Sequence, residues 1–259
     1  RNRKLPAAQI KQRVGVIAEM LELSGQLDQR AANLAADAKQ KISLGRGLVR
    51  PDVSAVLFDE PLTVIDPHLK WQLRRKLKQI HHELKLTLIY VTHDQVEALT
   101  FADQVVVMTR GRAVQTGTAA QLFERPRHTF VGHFIGSPGM NFLPGIVAAD
   151  GFHTAASTLA LPASHRLLPG DYKLGVRPEY VTLAAPHCAG ALAMSVKQVQ
   201  DVGTHLILTT ERAGCRVKAR LPVGSAEQAA LKALKPGDSV WLQLMGEHTC
   251  FYQNEELVA

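Results

Sequence analysis

The sequence is poor in cysteine and has no long apolar run. Three cysteines occur in 259 residues, at Cys188, Cys215 and Cys250. An odd number of widely spaced cysteines argues against a disulfide framework and against a cysteine metal site, and it is typical of a reducing cytosol. No run approaches the roughly 18 apolar residues of a membrane-spanning helix, and no signal peptide is recognisable. We therefore expect any membrane association to depend on partners.

The rest of the composition is that of a globular protein with a basic bias. Hydrophobic residues make up 46% and charged residues 20%, which is enough for an ordinary core. The formal net charge is +7, but the basic residues are spread out, and no aromatic stripe is interleaved with them. A nucleic-acid partner is therefore not expected. The bias is compatible with attraction to an anionic membrane surface.

Two short apolar runs end in residues that carry chemistry. Asp59 and Glu60 follow the run 55–58, and His93 lies just after the run 87–91. We predict that the first run is a strand buried on both faces of a parallel sheet. Because the carboxyl ends of parallel strands line the ligand crevice, we expect these side chains to converge there. Two carboxylates and an imidazole are the set needed to hold Mg²⁺, to orient a water and to sense a terminal phosphate.

The residues around these runs resemble the ATP-hydrolysing subunits of ABC transporters, in particular those of carbohydrate importers related to the maltose system. The matching stretches are Phe-Asp-Glu-Pro-Leu at 58–62, Ile-Asp at 65–66 and Tyr-Val-Thr-His-Asp-Gln-Val-Glu-Ala-Leu at 90–99. Weaker similarity runs along the whole chain. Motifs of this length and spacing are specific to the family.

The resemblance implies a role for each matching residue. Asp59 corresponds to the Walker B aspartate that binds Mg²⁺, and Glu60 to the catalytic carboxylate. Asp66 matches the D-loop aspartate, and His93 matches the switch histidine. The implied cofactors are ATP and Mg²⁺.

The signature motif of the family is altered in this chain. Where the family has Leu-Ser-Gly-Gly-Gln, the sequence reads Leu34, Ala35, Ala36, Asp37 and Ala38. The family motif holds a γ-phosphate with a serine hydroxyl and glycine N–H groups at a helix N-terminus. Ala35 has no hydroxyl, and Asp37 would repel the phosphate by about 1 kcal/mol at 4 Å in water. Because the signature faces the ATP of the partner subunit, we expect an asymmetric heterodimer with one degenerate site.

Other parts of the family pattern are not found. No Gly-Lys dipeptide occurs, so the phosphate-cradling Walker A loop is not present in this sequence, and the glutamine loop is not recognisable. The sequence begins at Arg1, without methionine, in the run-up to a helix. We interpret the chain as an N-terminally truncated fragment and expect it to bind ATP weakly or not at all.

Strand and helix patterns predict an α/β fold with two domains. The resemblance implies that residues 1–136 are part of an ABC-type P-loop NTPase domain, a parallel sheet with helices that carries the helical subdomain, signature, Walker B, D-loop and H-loop. Residues 137–259 are expected to form a small all-β, OB-like regulatory domain of the TOBE or maltose type. Residues 215–221 alternate apolar and basic as a half-buried strand does, and 236–238 are a turn.

The sequence favours one function and leaves a second open. The first is the energy-coupling ATPase of a bacterial carbohydrate or polyol importer, peripheral to the cytoplasmic face of the inner membrane. Its partners would be two permease subunits, a second ATPase subunit and, indirectly, a solute-binding protein. The altered signature is most like importers with two different ATPases, such as glycerol uptake systems. The alternative is a catalytically inactive subunit that completes an asymmetric dimer, which the intact Asp59, Glu60 and His93 oppose.

Overall fold

The computed structural model describes residues 5–50, 53–62, 67–161, 166–188, 190–222 and 228–259, and for 67–69 and 228–229 it describes the backbone alone. The chain forms two compact units, residues 1–103 and 104–259. The domain boundary predicted at residue 136 is a different division of the chain and stays a prediction.

The first unit combines helices with one parallel pair of strands. Its elements are α1 (Ala7–Met20), α2 (Ala36–Leu48), β1 (Ala55–Asp59), α3 (Pro67–Leu84), β2 (Thr87–Val91) and α4 (Gln95–Phe101). α3 is the crossover between β1 and β2. Its apolar residues Leu73, Leu77 and Ile80 recur at helical spacing and are buried against the strands and α2.

The prediction that β1 is buried on both faces is wrong within the described residues. Val56 and Phe58 are buried, whereas Leu57 is 71% exposed. On the neighbouring strand Ile89 and Val91 are also exposed. Successive side chains of a strand point to opposite faces, and the described helices cover only one face of this pair.

The second unit is built mainly of antiparallel strands. Its elements are β3 (Val105–Thr109), β4 (Arg112–Gly117), α5 (Ala119–Glu124), α6 (Thr129–Phe134), β5 (Asn141–Ala148), β6 (Gly151–Thr154), β7 (Thr158–Leu159), β8 (Gly170–Val176), β9 (Thr182–Ala184), β10 (Ala191–Asp201), β11 (His205–Arg212), β12 (Cys215–Pro222), α7 (Gln228–Ala233), β13 (Ser239–Gln243), β14 (Cys250–Gln253) and β15 (Glu256–Leu257). β3 and β4 form a hairpin, and the other described strands form two sheets, ordered β15-β14-β8-β5-β6-β7 and β12-β11-β10-β13-β9.

The two larger sheets share one apolar core. Leu174 and Phe251 from the first sheet and Leu192 and Leu208 from the second are almost completely buried in it. The alternation predicted for residues 215–221 is observed, because every second residue of β12 from Cys215 onward is buried. The predicted set of short strands in this half of the chain is confirmed.

A buried arginine ties the two short helices to the sheet. Arg177 follows β8 and is 0% exposed. Its guanidinium lies over the ring of Phe123, with the carbon 4.3 Å from the ring centre. Its N–H groups donate to the carbonyls of four residues in and around α5 and α6, namely Leu122, Phe123, Gly132 and Ile135. Burial lowers the pKa of Arg177 from its ordinary value, and the negative ends of these carbonyl dipoles compensate its charge.

Replacing Arg177 by methionine should destabilise the second unit. The substitution keeps an apolar stem but leaves buried carbonyls without donors, each costing roughly 1–3 kcal/mol, so we expect a loss of about 3 kcal/mol or more. Urea unfolding measures this loss of unfolding free energy. It is followed by the fluorescence of Trp241, with Trp71→Phe in all variants so that Trp241 is the one tryptophan of the two that remains. The matched control is Arg216→Met, since Arg216 is an exposed partner of Glu211 and should cost less than about 1 kcal/mol. Equal losses in both variants would contradict this account.

Candidate functional site

Parallel pairing places two of the predicted site residues in direct contact. Asp59, the last residue of β1, lies opposite Val91, the last residue of β2. The backbone N–H of Glu60 donates to the carbonyl of Val91 at 2.9 Å, which extends the pairing by one residue. Nδ1 of His93 lies 2.9 Å from Oε1 of Glu60. Because an ionised carboxylate only accepts, Nδ1 carries the proton of this hydrogen bond.

Glu60 has an unusual backbone conformation. Its φ is 44°, in the left-handed region that non-glycine residues rarely adopt. Such a conformation costs on the order of 1–3 kcal/mol and persists only where the surrounding structure fixes it. Here the bond to Val91 fixes the backbone, and the turn directs the carboxylate to His93. Strain of this kind is concentrated at functional sites.

The contact with Glu60 changes the titration of His93. The hydrogen bond to Glu60 and the negative charge of that carboxylate raise the pKa of His93 above its ordinary value of 6.5, with smaller contributions from Asp94 and Glu97. A raised folded-state pKa stabilises the folded protein most at a pH below 6.5. This stabilisation is lost as the pH rises through the folded-state pKa. The His93 side chain is 71% exposed, so its ring remains accessible to a ligand.

The altered signature residues lie on two sides of one turn. Leu34 and Ala38 are buried, 8% and 3% exposed, and belong to the core of the first unit. Ala35 is the N-cap of α2 and makes no side-chain capping bond, and Ala36 and Asp37 begin the helix. Ala35 and Ala36 are exposed and Asp37 is half-buried. The surface part of the motif is therefore two methyl groups and one carboxylate.

A side chain of α2 connects this helix to the turn after β1. The amide of Gln40 donates to the carbonyl of Pro61, the residue that follows Glu60. Asp66, the predicted D-loop aspartate, lies outside the described residues. Its position relative to Glu60 and α2 stays a prediction.

A buried carboxylate that the sequence reasoning did not single out lies beside His93. Glu97 is 3% exposed and accepts hydrogen bonds from the hydroxyls of Tyr90 and Thr92 at 3.0 and 2.9 Å. Both hydroxyls bond to Oε2 of Glu97, and the ammonium of Lys70 lies 3.5 Å from Oε1. Burial, followed by the charge of Glu97, raises the pKa of Tyr90, so its hydroxyl remains a donor. The spacing of Asp94 and Glu97, three residues apart at a helix start, is the signal that indicates a capping role.

Comparison with known protein families identifies most of the second unit. The MalK OB fold domain matches residues 136–181, and the TOBE domain matches residues 174–251. Both matches confirm the predicted OB-like domain of the TOBE or maltose type, and its regulatory role stays a prediction. They cover most of the two sheets that share the core around Leu174 and Leu208.

Curated relatives show the family to which the chain belongs. The sn-glycerol-3-phosphate import ATP-binding protein UgpC of Cereibacter sphaeroides is 41% identical over 241 residues, covering 88% of this chain and 67% of the relative. The chain belongs to the ABC importer ATPases of the maltose and glycerol-phosphate type. UgpC of Salmonella typhimurium is 40% identical over 205 residues, covering 78% of this chain and 57% of the relative. An uncharacterised ABC transporter ATP-binding protein of Sinorhizobium fredii is 37% identical over 249 residues, covering 93% of this chain and 63% of the relative.

Membership of the ABC importer ATPases raises the question of which residues fit Mg²⁺ and ATP. Asp59 ends β1 with an exposed carboxylate, and no group of three or more histidine, cysteine, aspartate or glutamate side chains in the described residues has the arrangement of a metal site. Mg²⁺ is commonly held by one or two carboxylates together with phosphates and waters, so Asp59 fits a magnesium nucleotide rather than a free ion.

Within the part of the chain that is described, no helix is long and apolar enough to cross a membrane.

The charge of Glu60 should be measurable in the titration of His93. Glu60→Gln keeps an oxygen that can accept the hydrogen bond but removes the negative charge, so we expect the pKa of His93 to fall towards 6.5. Nuclear magnetic resonance titration of the histidine rings measures this pKa. Glu83→Gln, on the exposed surface of α3, is the control and should leave it unchanged. An unchanged His93 pKa in Glu60→Gln would show that the two side chains do not interact in solution.

Proposed function

We propose that the protein is the ATP-hydrolysing, energy-coupling subunit of a bacterial importer for a carbohydrate or a polyol-like substrate such as glycerol 3-phosphate. The observation that carries the proposal is the direct contact of Glu60 and His93 at the ends of two paired strands. Two relatives are named as sn-glycerol-3-phosphate import ATP-binding proteins, which supports the importer class and this kind of substrate.

The site chemistry assigns a separate task to each side chain. Glu60 would orient the attacking water and accept its proton, and its ionised carboxylate is suited to this. His93 would donate from its ring to the terminal phosphate. Asp59 would bind the Mg²⁺, which when present neutralises the charge that develops on the phosphates. In this structure Glu60 and His93 are hydrogen-bonded to each other. Before hydrolysis this bond would have to break, so that Glu60 can contact the water and His93 the phosphate.

The proposed assembly is a peripheral complex on the cytoplasmic face of the inner membrane. It would contain two permease subunits and a second, different ATPase subunit, and it would receive substrate from a solute-binding protein. The heterodimer is supported by the signature turn, where Ala35 offers no hydroxyl and Asp37 adds a negative charge. In such a dimer this chain would supply Glu60 and His93 to one site and the degenerate turn to the other. The comparisons do not support a catalytically inactive subunit.

Removing the carboxylate of Glu60 should abolish turnover at this site. In the full-length protein co-expressed with its partner ATPase, we expect Glu60→Gln to lower kcat for ATP hydrolysis by at least about 100-fold, since a general base contributes about that much. A steady-state phosphate-release assay measures it. Glu83→Gln is the control and should retain wild-type turnover. Unchanged hydrolysis in Glu60→Gln would mean that this chain is a structural subunit and that the working site lies elsewhere.

Restoring the signature turn should strengthen the second site. A double substitution, Ala35→Ser with Asp37→Gly, returns the hydroxyl and removes a repulsion of about 1–4 kcal/mol. We expect the KM for ATP of the assembled complex to fall by about tenfold, since 1.4 kcal/mol is a factor of ten. Ala32→Ser with Asn33→Gly, in the exposed turn just before the signature, is the control. An unchanged KM would argue that Ala35 and Asp37 do not face a nucleotide.

A further inference from the structure

The buried carboxylate of Glu97 needs a physical explanation. Burying a charge is costly unless it is paired and hydrogen-bonded. Glu97 has three partners from three places in the first unit: Lys70 on α3, Tyr90 on β2 and Thr92 just after β2. Glu97 itself lies in the first turn of α4. The carboxylate therefore joins the crossover helix, the strand and the following helix at the segment that contains His93.

The hydroxyl of Thr92 extends this connection to the far side of His93. The Thr92 hydroxyl donates a hydrogen bond to the Glu97 carboxylate at 2.9 Å, and its oxygen accepts one from the backbone N–H of Asp94 at 3.0 Å. A hydroxyl has one proton, so donation to Glu97 leaves its lone pairs for Asp94. In an ordinary capping box the glutamate would accept the N–H of the N-cap residue directly. Here the Thr92 hydroxyl stands between them, and the bonded residues flank His93 on both sides.

Asp94 closes the arrangement from the helix side. Its carboxylate accepts the backbone N–H groups of Val96 and Glu97 at 2.8 and 3.2 Å. The backbone from Thr92 to Glu97 is thus fixed by side chains at each end. The His93 ring projects from this fixed segment towards Glu60. We call residues 92–94, with the bonds from Glu97 through Thr92 to Asp94, the His93 turn.

We propose, building on the function proposed above, that Glu97 is a positioning residue for hydrolysis: through Thr92 it fixes the His93 turn so that the imidazole meets Glu60 and, in turn, the terminal phosphate. Glu97 is 3% exposed, so in this proposal it acts through Thr92 and not by direct contact with the nucleotide. The carboxylate of Asp94 accepts the first free N–H groups of α4. The hydrogen bond that Thr92 donates to Glu97 extends this cap, because the same hydroxyl accepts the N–H of Asp94, and it holds the backbone on both sides of His93.

The first test uses the chain itself and the ring of His93. Long-range proton–nitrogen spectra of the histidine rings report which nitrogen is protonated, and His93→Ala identifies the His93 signals among those of the 11 histidines. We expect a protonated Nδ1 in the wild type and the averaged pattern of a free imidazole in Glu97→Ala and Thr92→Val. Glu97→Gln, whose amide oxygen still accepts from Thr92, should keep the wild-type pattern. The exposed, same-helix variant Val96→Ala is the control.

Thr92→Val separates loss of positioning from loss of folding. Glu97→Ala leaves Lys70 without its carboxylate and so risks a folding defect, whereas Thr92→Val removes only the connecting hydroxyl. Thermal unfolding of each variant shows which of them are folded. If folded Thr92→Val keeps the wild-type Nδ1 signal, the hydroxyl does not fix His93 and the proposal is wrong.

The second test measures hydrolysis by the full-length protein with its partner ATPase. We expect Glu97→Ala and Thr92→Val to lower kcat by about tenfold to a hundredfold with little change in KM, since misplacing a reacting group by about 1 Å has such an effect. Glu97→Gln should recover most of the turnover. If His93→Ala abolishes hydrolysis while Thr92→Val does not reduce it, the positioning proposal fails and the proposed function stands. If His93→Ala itself has no effect, the proposed function fails.

Discussion

The parallel register of β1 and β2 is the constraint on which the candidate site depends. It sets Asp59 opposite Val91 and so brings the residues just after both strands, Glu60 and His93, within hydrogen-bond distance. A slip of one residue would move each strand end by about 3.3 Å and exchange its two faces. The buried pair Val56 and Phe58 opposes such a slip, because it would take them out of the core. Apolar packing therefore fixes the polar geometry.

Both units contain a buried charge, and each charge is compensated in a different way. Glu97 is paired with an ammonium and two hydroxyls, so side chains satisfy it. Arg177 is satisfied mainly by backbone carbonyls of two short helices. In each case the charge joins segments far apart in sequence, and removing it leaves partners without their bonds. A buried ionic group is poor evidence of stability, but here each one fixes a local geometry that apolar residues alone would leave open.

The parts of this structure that follow from local chemistry were predictable, and the parts that follow from tertiary contacts were not. The sequence predicts that Glu60 and His93, just after two parallel strands, converge at the edge that the strands share, and the structure confirms this contact. The prediction that β1 is buried on both faces is wrong, because an apolar run in the sequence does not show whether other elements cover one face of the strand or both. Glu97 is three residues after a helix cap, a position usually exposed, and its partner Lys70 is on another helix. The packing role of Arg177 does not follow from the sequence, because its partners are main-chain carbonyls.

The left-handed backbone of Glu60 has a consequence for how this position tolerates change. At a φ of 44° glycine is unstrained and asparagine is less strained than glutamate, so either substitution would relieve local strain. Only a side chain of suitable length and charge can reach His93. Selection for thermal resistance and selection for turnover would therefore favour different residues at position 60, and stabilised variants recovered without an activity screen should be enriched in substitutions that remove the carboxylate.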